Sequence, residues 1–251
     1  MSFKLKMEHS TKKKNSNIIL ALDPEQKSRD ILLSQSIKLL EAIHPYVCAV
    51  KLNHHLILPL GLFDGVQRIL NSARNFGLPT IMDCKINDIG NTNRVIAENY
   101  YKAGFDAVIA NPFVGWEEGL QPVFEIAQQM KKGIILLCYM SHKAAWEGYG
   151  QTVKEKESLT SQYVAFAKKA LKWGADGVVV GATYPEKIKE VHQILTNKVP
   201  IYSPGVGAQG GDVQSAIEAG TRYLIVGRTI VNASIPAEMA KQMRDMARLK
   251  K

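Results

Sequence analysis

Cysteine is scarce in this chain, and no apolar run approaches the length of a membrane span. The three cysteines, Cys48, Cys84 and Cys138, are odd in number and lack metal-type spacing, so neither a disulfide framework nor a zinc site is expected. Each falls in or beside a predicted strand, where a reduced thiol behaves as a small hydrophobe. The apolar stretches fall short of the roughly 18 residues that a membrane helix requires. Residues Met1 to Asn15 are polar and lysine-rich and lack the apolar centre of a secretion signal. A cytoplasmic location is the expectation. Linkers and low-complexity inserts are also missing, and 251 residues suit one α/β domain.

What is present is an ordinary globular composition, 46% hydrophobic and 22% charged, with a net charge of +9. The excess of cations suits an anionic partner without saying which. Part of it sits at Lys4, Lys6, Lys12, Lys13 and Lys14. With no aromatic residue interleaved beyond Phe3, residues 1–15 are predicted to be a solvated, flexible basic tail rather than a nucleic-acid arm. Residues 16–251 are assigned to one catalytic domain.

One junction recurs along the chain: an amphipathic segment, a glycine, then a short apolar run. It occurs at Gly77, Gly104, Gly133, Gly174 and Gly220. Each glycine suits the left-handed position just past a helix end. The runs that follow are apolar at nearly every position, as parallel strands buried on both faces are. The predicted strands are Ile18 to Leu22, Val47 to Leu52, Pro79 to Cys84, Ala107 to Ala110, Ile134 to Cys138, Gly177 to Val180, Pro200 to Ser203 and Tyr223 to Val226. With seven intervening helical segments and a closing one from Pro236 to Leu249, this pattern predicts an α/β protein, a single (β/α)8 TIM barrel. A doubly wound open sheet alternates in the same way, but eight consecutive units favour closure.

Chemistry in such a barrel belongs at the C-terminal strand ends. Four of those ends carry charge: Asp23, Lys51, the run Asp83-Cys84-Lys85-Ile86-Asn87-Asp88, and Arg228. Alternation puts Asp83 and Lys85 on one face and Cys84 on the other. So many charges on one rim are costly to desolvate unless paired, and they point to function more than to a self-satisfied ring. After strand seven, Gly205, Gly207 and Gly210 formally match a dinucleotide fingerprint. Their place near the C-terminus, without the acid about 20 residues on, contradicts that use. What survives is an anion site: glycines admit backbone amides, and Arg228 supplies a fork of donors for phosphate. His54 and His55 adjoin on a helix and point apart, with no third ligand evident, so they are assigned as structural or surface residues.

The run from Asp83 to Thr92 resembles the D-x-K-x-x-D signature of the orotidine 5'-monophosphate decarboxylase family, with its following Ile and Thr. Leu20 to Asp23, Lys51, Met140-Ser141, Pro204 to Gly211 and Val226 to Arg228 extend the resemblance over almost the whole barrel. It implies a cofactor-free, metal-free enzyme that converts orotidine 5'-monophosphate to uridine 5'-monophosphate. Lys51, Asp83, Lys85 and Asp88 would then form an alternating charged array around the reacting carbon, with Lys85 as the proton donor. Asp23 would contact the ribose and Ser141 the pyrimidine. Pro204 would lie in the substrate loop, and Gln209 and Arg228, with amides near Gly227, would hold the phosphate. Asp88, Ile89 and Thr92 would reach across a two-fold axis, which implies a homodimer with shared sites. One departure is the run Lys143-Ala144-Ala145-Trp146, where many relatives have a Pro-Gly turn. The nearest rival is a magnesium-dependent sugar-phosphate decarboxylase acting on 3-keto-L-gulonate 6-phosphate, which needs further carboxylates near the metal. A non-catalytic nucleotide-binding barrel is the other, and the intact Asp83, Lys85 and Asp88 argue against it.

Overall fold

A computed structural model describes residues 1–25, 28–155, 158–207 and 209–248. The strands are β1 (Ile18–Ala21), β2 (Ala49–Asn53), β3 (Thr80–Ile86), β4 (Ala107–Ala110), β5 (Gly133–Tyr139), β6 (Thr152–Glu155), β7 (Ser158–Ser161), β8 (Gly177–Val180), β9 (Ile201–Pro204) and β10 (Tyr223–Val226). Eight of them close a parallel barrel in the order β1-β10-β9-β8-β5-β4-β3-β2. The (β/α)8 expectation is therefore met, and the open-sheet alternative is not. Every residue of β1, β4, β5, β8 and β10 is buried, because helices cover the outer face while side chains fill the inner one.

The left-handed glycine holds at four of the five junctions, at Gly77, Gly104, Gly174 and Gly220. At the fifth, Lys131 takes the left-handed turn (φ 56°) and Gly133 opens β5 instead. Its small size has another cause. A Cβ there would lie 2.3 Å from the ring of Phe3.

That contact corrects the expected solvated arm. Phe3–Lys14 form a helix, with Phe3, Met7 and Ser10 buried at a spacing that puts them on one face. The helix lies against the barrel floor, the end opposite the predicted chemistry. Lys6 donates to Asp106, just before β4, at 2.6 Å, and Ser10 Oγ donates to the carbonyl of Cys48 at 2.6 Å. Burying Phe3 alone contributes about 1.5–3 kcal/mol, which Lys4, Lys12 and Lys13 do not oppose because they stay exposed.

The sequence reading did not anticipate the antiparallel pair β6–β7, which stands outside the barrel after β5. Among the described residues no helix is long and apolar enough to cross a membrane. Pro236–Met246 closes the fold, and the last three residues of the chain, the predicted helix end at Leu249 included, lie outside the described residues.

Candidate active site

The C-terminal ends of the strands surround a cavity of about 250 Å³. Asp23, Lys51, Asp83, Lys85, Ser141, Pro204, Gln209, Gly227 and Arg228, each picked out from the sequence, all line it. β2 delivers Lys51 and β3 delivers Asp83 on adjacent, hydrogen-bonded strands. Lys51 Nζ donates to Asp83 Oδ2 at 2.8 Å, and Lys85 Nζ donates to Oδ1 of the same carboxylate at 2.6 Å. One acid is thus held between two cations.

The local backbone differs from a regular strand. The register between β3 and β4 shifts between Met82 and Ile86, and Lys85 has φ 48°. A left-handed lysine costs about 1–2 kcal/mol, and such outliers persist where the surroundings over-determine them. The expected shared face for Asp83 and Lys85 is reached by this bulge rather than by simple alternation. Cys84 points away and its thiol lies 3.5 Å from the carbonyl of Ile109. Burial pushes that thiol up to about 12, which keeps it a thiol.

Burial works to raise the Asp83 carboxyl, but the Lys51 and Lys85 ammoniums outweigh it and bring it down to about 2. A depressed carboxylate contributes stability fully above its unfolded value, near 3.8, and that contribution is lost as pH falls through about 2. It is on the order of 2 kcal/mol. Carbon-detected titration of the carboxyl should find Asp83 still ionised at about pH 4. A midpoint at or above the ordinary 3.8 would mean that the two lysines do not hold it.

At the other end of the cavity, Gly205, Gly207 and Gly210 all have positive φ. A side chain at Gly205 would come within 2.9 Å of Gln209 Oε1 and 3.0 Å of Ser141 Cβ, so glycine here permits a close approach of two loops. The amides of Gly207, Gly210 and Gly211 donate to carbonyls within the loop, at 2.9, 2.7 and 3.0 Å. The loop glycines therefore shape the turn that carries Gln209, and the amides of Gly207, Gly210 and Gly211 bond carbonyls of the loop itself. Arg228 begins a short helix directly after β10 and is exposed at the cavity rim.

Asp88, Ile89 and Thr92 do not line this cavity. All three are exposed at the start of the helix Gly90–Ala103, and Ile89 is 70% exposed. Beyond Lys85 the mouth widens toward His54, His55 and Leu58. His55 donates its backbone amide to Asn53 Oδ1 at 2.8 Å, a helix N-cap, while Asn53 Nδ2 donates to Asp23 Oδ1 at 2.7 Å. Asn53 was not singled out from the sequence, although it stands two residues from Lys51 on the same strand face. Among the described residues no three His, Cys, Asp or Glu side chains group as metal ligands. The departure after Ser141 is built as a turn and the short helix Ala145–Tyr149. Thr183 Oγ1 donates to the Ser141 carbonyl at 3.1 Å and Tyr184 OH to that of His142 at 3.0 Å.

Residues 16–243 match the model of the orotidine 5'-phosphate decarboxylase / HUMPS family. The orotidine 5'-phosphate decarboxylase of Methanosarcina mazei is 37% identical over 232 residues, spanning 92% of this chain and 95% of that protein. The Pyrococcus abyssi enzyme of the same name is 37% identical over 231 residues, spanning 92% and 99%. Among solved structures, orotidine 5'-monophosphate decarboxylase from Methanocaldococcus jannaschii, complexed with the inhibitor BMP, superposes with a TM-score of 0.79 at 29% identity, covering 92% of this chain and 98% of that one. Leishmania donovani UMP synthase gives 0.84 at 26% identity, covering 98% and 56%. A closed barrel with a charged array at its mouth, together with this similarity along nearly its whole length, makes the chain a decarboxylase of the orotidine 5'-phosphate decarboxylase / HUMPS family.

Proposed function

We propose that the chain decarboxylates orotidine 5'-monophosphate to uridine 5'-monophosphate, a step of pyrimidine biosynthesis. The observation that carries this reading is the Lys51–Asp83–Lys85 array at one end of the cavity, with Gln209 and Arg228 at the other. A phosphorylated pyrimidine nucleoside spans such a site, with its anionic tail at the arginine and its reacting carbon at the lysine.

When the C6–carboxylate bond breaks, CO2 departs and the electron pair remains on C6 in the plane of the ring. Lys85 stabilises that charge and then transfers a proton from Nζ to C6, so its amine is left neutral until solvent reprotonates it. Asp83, held ionised, stands beside the substrate carboxylate. Two such charges about 4 Å apart repel by about 4 kcal/mol at an effective dielectric of 20, and loss of CO2 relieves this. Large enzymatic accelerations need about 8–23 kcal/mol, so carbanion stabilisation and phosphate-driven loop closure supply the remainder. In this scheme the chain's own residues carry the chemistry, without a cofactor.

Ser141 and Asp23 are the groups proposed for the pyrimidine and the ribose, and Pro204 and Gly227 shape the pocket wall. Asp88, Ile89 and Thr92 are assigned to the site of a second copy. Their exposure, with that of Val95 on the same helix and of Leu58 and Phe63 on neighbouring elements, favours a homodimer whose two sites are shared. A cytoplasmic enzyme with no nucleic-acid or membrane partner accords with this role. The magnesium-dependent sugar-phosphate reaction is disfavoured because the carboxylates lining the cavity are Asp23 and Asp83, and both oxygens of Asp83 already accept from lysines.

The test is to follow the ultraviolet absorbance of orotidine monophosphate with purified protein, with and without a chelator. Chelator-insensitive loss of substrate is expected; no loss of orotidine monophosphate, with magnesium-dependent turnover of 3-keto-L-gulonate 6-phosphate instead, would favour the sugar-phosphate reading. Arg228→Ala is expected to weaken uridine monophosphate binding by about 10–10²-fold, the value of a charge-assisted pair of about 1.5–3 kcal/mol, with a smaller change in kcat. If calorimetry found its affinity unchanged, the phosphate site would lie elsewhere.

A further inference from the structure

Asp88 stands on an exposed turn, where a carboxylate useful to a neighbouring site has to be held without help from the cavity it does not line. The helix that follows, Gly90–Ala103, has Ile89 at its N-cap, and Ile89 makes no side-chain cap. Asn93, inside the helix, binds instead the backbone of the turn that precedes it. This side chain is fully buried. Its Oδ1 accepts the backbone N–H of Asp88 at 2.9 Å, and its Nδ2 donates to the backbone carbonyl of the same residue. The amide thus grips both backbone groups of Asp88 as a paired strand would. The second Nδ2 hydrogen reaches the carbonyl of Gly119 at 3.0 Å, in the loop that follows β4.

A second contact ties the same two segments. A Cβ at Gly90 would lie 2.9 Å from the carbonyl oxygen of Glu118, and Glu118 is itself left-handed at φ 53°. The Asp88 turn is therefore docked on the Glu118–Gly119 segment at two points, one polar and one steric. Asp88 Oδ1 accepts from the Ile89 amide at 2.7 Å, which orients the carboxylate on this fixed backbone.

We propose that Asn93 is a positioning residue for Asp88, a buried amide that clamps the Asp88 backbone and so sets where its carboxylate is presented to a second copy of the chain. The proposal rests on the reading above that Asp88 serves a decarboxylase site. Displacing a catalytic group by about 1 Å costs about 10²-fold in rate.

The experiment compares Asn93→Ala, Asp88→Ala and the double variant in the full-length protein. Asn93→Ala is expected to lower kcat by about 10²-fold while uridine monophosphate affinity stays within a few fold. In the Asp88→Ala background, Asn93→Ala is expected to cost no further turnover, because it acts only through Asp88. An additive loss in the double variant would overturn the proposal, as would wild-type kcat in Asn93→Ala. Should Asn93→Ala fail to fold, Asn93→Ser takes its place, keeping a small polar group while losing the paired grip on Asp88, and is expected to show the same non-additivity. If Asp88→Ala keeps full activity, the assignment of Asp88 is wrong, and the clamp is then read by hydrogen exchange at the Asp88 amide. Loss of protection in the Asn93 variant supports it, and retained protection overturns it.

Discussion

Lys85→Ala is expected to abolish turnover while leaving uridine monophosphate binding measurable. Two effects vanish together. The preorganised cation facing the developing carbanion is worth about 10²–10³ in rate, and the positioned proton donor about 10²–10⁴. Acting on one transition state, they multiply to about 10⁴–10⁷. Binding survives because Asp23, Gln209 and Arg228 are set on other strand ends and loops. Asp83 also keeps its partner Lys51 at 2.8 Å, so the array loses one member without collapse. The check pairs the absorbance assay with calorimetric titration of uridine monophosphate. A variant within tenfold of the native rate would remove Lys85 from the chemistry altogether.

Asp83→Asn makes the complementary demand, since it keeps the shape and deletes the charge. The replacement amide can accept from one lysine only, and its own hydrogens face the other. Lys51 is nearly buried, with 7% of its side chain exposed, so its charge is left without compensation. Breaking a buried pair from one side costs about 3–5 kcal/mol. A loss of that size in urea unfolding is expected at neutral pH. Turnover should fall by about 10³-fold, the rate equivalent of the roughly 4 kcal/mol of repulsion assigned to the substrate carboxylate. Native kcat in this variant would show that Asp83 serves the fold and not the reaction.

The barrel was legible because its strands are short, apolar at almost every position and separated by helix-ending glycines; β4, β8 and β10 begin and end at the predicted residues. β6 and β7 were not. They are polar and largely solvent-facing, with exposed or half-buried residues throughout, so no hydrophobic period marks them. The helix Phe3–Lys14 hid behind its lysines. Of its three apolar residues Leu5 is exposed, and Phe3 and Met7 suffice because the barrel floor gives them somewhere to go. The nine cavity residues could be read from the chain because strand ends in a barrel converge whatever the details of their loops. Asn53 and Asn93 could not, since an amide announces neither charge nor period and its value lies in the groups across from it. The loop glycines pointed to an anion site in the sequence; that the amides of Gly207, Gly210 and Gly211 bond carbonyls of the same loop is visible only in the fold.

The left-handed backbone at Lys85 (φ 48°) sets two demands on one residue against each other. Glycine would relax that conformation, yet it would carry no amine, and the Asp83 carboxylate would lose one of the two cations that it accepts from. The strained backbone is therefore kept for a side chain that two separate tasks require, an ion pair inside the barrel mouth and a proton for the product. A library varied at this position would return few replacements, because a residue that eases the backbone forfeits both tasks at once.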